Sequence, residues 1–250
     1  MHKKIMNKLI ISDLHLSPAR PQITQALIKL VDRLRKQIGA LYILGDLFDY
    51  WVGDDYTDTE VKQVKKLLLS LAEDKITTFF IRGNRDFLLA EGFSEETSMR
   101  ILEDETRIQF NGQPALIMHG DQLCTQDLAH QQFRSLVKTS SWQENFLQKS
   151  LEERIHLAES MRSISKANNS RKSKDIMDVD PRAVESIMDK HKVSLLIHGH
   201  THRPAIHKLS VNNKPAQRIV LGDWHELGWY LIEADTDMGK QIKLKQFVID

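Results

Sequence analysis

Five short apolar runs in this chain each stop at a cluster of Gly, Asp, Asn or His. Residues 9–11 end at Ser12-Asp13, 41–44 at Gly45-Asp46 and 77–81 at Gly83-Asn84. The second arm of a hairpin over 107–118 ends at His119-Gly120-Asp121, and 193–197 ends at His198-Gly199-His200. Brief apolar runs bounded by such punctuation read as buried strands. Between them, Ile23, Leu27, Leu30, Val31 and Leu34 predict a helix over 22–37, and Val61, Val64, Leu67, Leu68 and Leu71 predict a second. The hairpin is expected to turn at Asn111-Gly112. Further short strands are expected near 205–209, 217–221, 228–232 and 242–248. Strands alternating with helices build a layered α/β fold. Ligands of such sheets bind beyond the carboxyl ends of the strands, so the five clusters are expected to converge on one edge.

The alternation breaks over 122–174, where no strand signal occurs. Trp142, Phe146, Leu151, Ile155, Ala158 and Met161 fall near helical spacing, among Arg134, Lys138, Lys149, Arg154, Arg162, Lys166, Arg171, Lys172 and Lys174. The segment reads as a helical insertion in a single domain spanning 1–250. A solvated hairpin with an apolar underside is the plain reading of such a pattern. Its place directly after a polar cluster favours a cap over a substrate. Its last part, 165–174, is polar and basic and reads as a loop.

Composition narrows the partners. A formal net charge of +1 creates no global field for nucleic acid. With one cysteine, Cys124, no intramolecular disulfide is possible, which fits a reducing compartment. The apolar stretch 9–11 is too short for a signal peptide, and no apolar run approaches the ~20 residues of a membrane span. A cytosolic protein is expected, with a peripheral membrane role left open.

The clusters hold carboxylates, imidazoles and an amide: Asp13, His15, Asp46, Asp49, Asn84, Asp86, His119, His200 and His202. Such donors suit manganese, iron or zinc, and the lack of ligand cysteines argues against a zinc finger. The two-residue spacings of Asp13/His15 and His200/His202 let both members of a pair face one site. Asp46 has two oxygens with which to bridge two ions. A lone Asp-x-His or Gly-Asp carries little weight; five clusters in order, each after an apolar strand, carry a great deal.

From Asp13 to His202 the set resembles the calcineurin-like metallophosphoesterase superfamily, and implies its αββα sandwich of mixed sheets. The resemblance implies one ion held by Asp13, His15, Asp46 and His202, and a second by Asp46, Asn84, His119 and His200. Asp49 and Asp86 would orient ligands, while His198 stays outside. Many members carry histidine after the motif asparagine; this chain has Arg85, which stays protonated and is no general acid near neutral pH. A leaving group that departs without a proton, as from a pyrophosphate, then fits better than an alkoxide.

Longer strings narrow the resemblance. Gly45-Asp46-Leu47-Phe48, Gly83-Asn84-Arg85-Asp86-Phe87-Leu88, His119-Gly120-Asp121-Gln122-Leu123-Cys124-Thr125, Ile176-Met177-Asp178-Val179 and His198-Gly199-His200-Thr201-His202-Arg203-Pro204 resemble the UDP-2,3-diacylglucosamine hydrolase family. That resemblance implies a manganese-dependent hydrolase at the cytoplasmic face of the inner membrane. It would cleave UDP-2,3-diacylglucosamine to UMP and 2,3-diacylglucosamine 1-phosphate in lipid A assembly, with no obligate protein partner. Asp46, Arg85 and His119 are then the catalytic group. Asn84, Arg85, Asp127, Ser165, Asn169, Lys172 and His200 contact substrate, under a cap that shelters two acyl chains. Cys124 is a packing residue. Trp224 and His225 fit a site-lining loop as well as core and surface. The rival readings are another nucleotide pyrophosphatase or phosphodiesterase of the superfamily, and a scaffold without activity.

Overall fold

Every apolar run forms the strand expected of it. The computed structural model describes residues 7–169, 176–236 and 239–250. The first half holds β1 (Asn7–Ile11), α1 (Pro21–Leu34), β2 (Ile38–Leu44), α2 (Thr59–Glu73), β3 (Thr77–Ile81), α3 (Glu91–Thr97), β4 (Arg100–Ile101), β5 (Thr106–Phe110) and β6 (Gln113–Ile117). A 3-10 turn, Asp121–Leu123, leads into α4 (Leu128–Val137), α5 (Ser140–Leu147), α6 (Leu151–Asn169) and α7 (Pro181–Lys190). The chain closes with β7 (Leu195–His198), β8 (Ala205–Val211), β9 (Lys214–Val220), β10 (Leu227–Thr236) and β11 (Gly239–Val248).

The strands form two mixed sheets, ordered β11-β10-β1-β2-β3-β4 and β5-β6-β7-β9-β8. Parallel pairs run through β1-β2-β3-β4 and β6-β7-β9; β10, β5 and β8 join antiparallel. Side-chain alternation decides what each face meets. Ile10, Leu44, Ile117, Leu195 and Ile197 fill the space between the sheets. Leu9 and Ile11 turn outward to the α1/α2 layer, and Leu116 and Leu196 turn outward to Val184 and Met188 of α7. This is the αββα sandwich.

Three elements escaped the sequence reading. α3 buries only Phe93 and Thr97, too few to set a period, and β4 has two residues. α7 did carry a signal: Asp180 caps Arg182 N–H ahead of Pro181. The loop expected over 165–174 is corrected in its first half, because α6 continues to Asn169. A helix already under way extends through residues of middling propensity. Lys172 and the rest of that stretch lie outside the described residues.

Within 122–174, α5 and α6 rest on the α1/α2-side core through Phe146, Trp142, Leu151, Ile155 and Ala158. Arg154, 4% exposed, staples α6 down: it donates to Val52 O and pairs with Asp55. Further along α6, Arg162 pairs with Asp49. Among the described residues no helix is long and apolar enough to cross a membrane.

Candidate active site

The loops leaving β1, β2, β3, β6 and β7 meet at one edge, held by backbone hydrogen bonds that continue the ladders. Asp13 N–H donates to Gly45 O (3.1 Å), His15 N–H to Asp46 O (2.9 Å) and Gly199 N–H to His119 O (2.9 Å). His119 Nδ1 lies 2.8 Å from Leu44 O and ties the two sheets together. Among the described residues, eleven non-glycine residues have positive φ, and five of them are Asp13, His15, Asp46, His200 and His202. Left-handed backbone costs such residues about 1 kcal/mol or more each, so its concentration here marks a conformation imposed by the surroundings. Two glycines make room. A Cβ on Gly83 would lie 2.1 Å from Asp46 Oδ1, and one on Gly199 2.1 Å from Asp13 Oδ2.

The donors converge. His15 Nε2 and His202 Nε2 are 3.4 Å apart, and His202 Nε2 is 3.4 Å from Asp13 Oδ1. Asp46 faces both ways, with Oδ2 3.8 Å from His15 Nδ1 and Oδ1 3.8 Å from His119 Nε2. Asn84 Oδ1 lies 3.0 Å from His119 Nε2, and the His200 ring centroid is 5.1 Å from that of His119. Among the described residues, two groups have all ligand atoms within 4.8 Å of one another: Asp13, His15 and His202, and Asp13, Asp46 and His119. Asp13 thus belongs to both groups, and its oxygens also accept from Ser12 Oγ (2.5 Å) and His200 N–H (3.0 Å).

The electrostatics fit divalent cations. Burial pushes the Asp86 carboxyl up to about 7, reinforced by the charge of Asp46. Burial also favours neutral His119, but the charges of Asp46, Asp13 and Asp121 outweigh it and raise the ring to about 9. At Asp13, burial is outweighed by His202, His119 and His15, which hold the carboxyl below its usual range. Burial, and then neighbouring histidines, keep His15 and His200 well below the ordinary imidazole value. His15 and His200 are thus neutral, as metal ligands must be, while the carboxylates draw a proton onto His119, which marks a place where positive charge is favoured. His15 Nδ1 is buried without a hydrogen-bond partner, a donor atom that an ion would satisfy.

The surrounding residues sort themselves by contact. Asp86 accepts from Asp46 N–H (3.2 Å), Leu47 N–H (2.7 Å) and Gly83 N–H (2.8 Å), so it fixes two loops at once. Asp49 pairs with Arg162 rather than with any of the seven candidate donors. His198 is fully buried and turns to Gly199 O (2.9 Å) and Arg218 (3.2 Å). Arg85 N–H donates to Asp46 Oδ1 (2.8 Å), while its buried Nε has no partner. Asp127 caps α4 by accepting from His130 N–H (3.1 Å). Cys124 is buried, and burial pushes its thiol up to about 12, which makes it inert.

Trp224 belongs to the core: it is fully buried and donates from Nε1 to Trp229 O, while its backbone N–H reaches Asp13 O (3.1 Å). His225 is exposed. Three contributors went unread. Asp223 Oδ2 stands 3.6 Å from His202 Nδ1, at the end of β9 behind Gly222; this repeats the Gly-Asp signature of the other strand ends. Arg20 donates to His15 O (2.6 Å), and His130 leans on the His200 ring; neither has a local motif.

Beside the cluster lies a cavity of about 330 Å³. Asn84, Arg85 and His130 line it where it meets the cluster, and Phe87, Phe133, Trp142, Phe146 and Met161 give it apolar walls. Ser165 lines it too. The side chains of Asn169 and Lys172 are not among those described.

A strand-end carboxylate–histidine cluster at the edge of an αββα sandwich is the arrangement of a metal-dependent phosphoesterase. Residues 6–204 match the family described as calcineurin-like phosphoesterase. Proteins named UDP-2,3-diacylglucosamine hydrolase align along nearly the whole chain. That of Cellvibrio japonicus is 45% identical, covering 93% of this chain and 97% of its own. The Klebsiella pneumoniae protein is 45% identical over 89% and 93% respectively, and the Serratia proteamaculans protein 44% over 97% and 99%. The chain belongs to the calcineurin-like phosphoesterases and, within them, to the family of the UDP-2,3-diacylglucosamine hydrolases.

Proposed function

We propose that the protein hydrolyses the pyrophosphate bond of UDP-2,3-diacylglucosamine, releasing UMP and 2,3-diacylglucosamine 1-phosphate for lipid A assembly. The observation that carries this reading is the junction of a polar donor cluster with an apolar chamber in one cavity. A substrate with a diphosphate at one end and acyl chains at the other spans that junction. General nucleotide pyrophosphatases have no use for walls of Phe133, Trp142 and Phe146.

Asp13, His15, Asp46 and His202 would hold one divalent ion, and Asp46, Asn84, His119 and His200 a second, with Mn²⁺ as the expected metal. When bound, two such ions supply an activated water and neutralise charge on the phosphoryl oxygens. The chain's own residues do the rest. Asp86 and the Asp13–His200 backbone contact set the donor geometry. Arg85, anchored through its backbone to Asp46, braces a phosphate with paired hydrogen bonds and donates no proton; the departing phosphate needs none. The cap, residues 122–174, covers the acyl chains, with Ser165 at the chamber wall and Asp127, Asn169 and Lys172 as further substrate contacts. Peripheral attachment to the cytoplasmic face of the inner membrane is supported by exposed Leu128 and Leu136 on α4 and Ile164 on α6.

The test compares rates on UDP-2,3-diacylglucosamine and UDP-glucosamine with Mn²⁺ present. Burying acyl carbon is worth ~0.8 kcal/mol per CH₂, so the diacylated substrate should turn over at least about a hundredfold faster per unit concentration. Equal rates would overturn the reading in favour of a general nucleotide pyrophosphatase.

A further inference from the structure

His130 sits on the first turn of α4, three residues after the capping Asp127. Its ring centroid lies 5.2 Å from that of His200, tilted by 34°. Among the described residues it is the one ring of α4–α6 in contact with a histidine of the cluster. The same ring lines the apolar chamber. Its buried Nε2 faces Asp121 Oδ2 at 3.6 Å, just beyond hydrogen-bond length.

The base under this ring is firm. Asp121 follows His119-Gly120 directly and accepts from Arg134 Nε (2.7 Å), while Gln131 donates to Asp121 O (2.8 Å). One helical face of α4 therefore grips the loop that carries His119. His200 is differently placed. Its backbone N–H is pinned to Asp13 and its φ is left-handed, but its side chain meets rings, edge-on to His119 and tilted to His130. An imidazole must point a particular nitrogen at an ion, and the groups around it set that orientation.

We propose that His130 is a positioning residue: its ring fixes the orientation of His200, so that ion binding at the His119–His200 side of the cluster is coupled to occupation of the chamber. This rests on the reading of His200 as a metal ligand. The Asp13–His15–His202 side has no contact with His130 and should not respond. Because coupling between two ligands is reciprocal, a ligand that fills the chamber and packs the His130 ring should tighten one ion and not the other.

The test is calorimetric titration of Mn²⁺ into the metal-free chain, as wild type, His130→Ala, His130→Phe and His130→Gln. A thermal melt of each metal-free variant checks the fold. Wild type should bind two ions. In His130→Ala one of the two should weaken about tenfold, the scale for losing a group that orients a ligand, and the other should keep its affinity. His130→Phe, which keeps the ring contact, should return to within about threefold of wild type, and His130→Gln should not. Adding octyl glucoside, which offers an alkyl chain to the chamber and no phosphate to the ions, should tighten the sensitive ion in wild type and His130→Phe, but not in His130→Ala. Unchanged affinities in His130→Ala overturn the proposal, as does restoration by Gln but not Phe, which would assign the role to a hydrogen bond. Fewer than two ions on the wild type would instead overturn the underlying reading of the cluster.

Discussion

The sheet edge and the cap are built on opposite principles. At the edge, Asp13, Asp46, Asp86 and His119 are almost completely buried, and backbone hydrogen bonds or left-handed φ fix each of them. In the cap, α4 and α6 leave Leu128 and Ile164 largely exposed, and the walls are large, adaptable side chains. Burial without partners is expensive for polar groups, so the edge tolerates almost no substitution. An apolar wall tolerates volume-conserving exchange. On the function proposed above, chemistry would belong to the edge and selectivity to the cap, and substitutions at four positions probe that division.

The largest effect belongs to Asp46, the carboxylate that faces both His15 and His119. Asp46→Ala should lower kcat about 10³-fold or more at saturating metal, the scale for losing a preorganised charge-stabilising group. Retention of more than about a tenth of the activity would break the two-ion arrangement and with it the contrast between edge and cap.

Gly83→Ala tests whether the edge is as intolerant as its geometry implies. The added Cβ would sit 2.1 Å from Asp46 Oδ1, so the carboxylate must move, and misplacement by an ångström costs about a hundredfold. Steady-state rates together with metal stoichiometry check this; near-normal values would mean that the loop yields easily.

Arg85 stands on the border between the regions. Arg85→His should lose roughly 1.5–3 kcal/mol, about ten- to a hundredfold in kcat/KM on the pyrophosphate substrate. Lysine should restore part of it, since a point charge cannot copy the fork. Histidine matching wild type on that substrate would sink the brace assignment, and a gain on aryl phosphoesters would place proton donation there instead.

The smallest change concerns the cap staple. Arg154→Met removes a buried guanidinium whose partner Asp55 is 59% exposed, so no buried charge is stranded. α6 should loosen by about 1–3 kcal/mol, the worth of a charge-assisted bond, seen as faster amide exchange in α6 while β1 and β2 stay protected. Equal acceleration throughout would show that cap and edge unfold as one unit.

Much of this molecule was legible in its sequence because the relevant signals are short-range. An apolar run buried on both faces announces a central strand, and a Gly, Asp, Asn or His cluster at its end announces a turn that projects donors; the convergence of Asp13, Asp46, Asn84, His119 and His200 on one edge was expected on that ground. Asp223 bore the same sign and was overlooked. Tertiary structure alone decided the rest. Asp49 was expected to orient a ligand, but it pairs with Arg162, 113 positions on by the numbering. The seat of Arg154 on Val52 O, the lean of His130 on His200 and the retreat of Trp224 into the core all join positions far apart in the chain. No local pattern encodes such pairs, because they depend on how two sheets and three helices pack, and packing is a property of the whole chain.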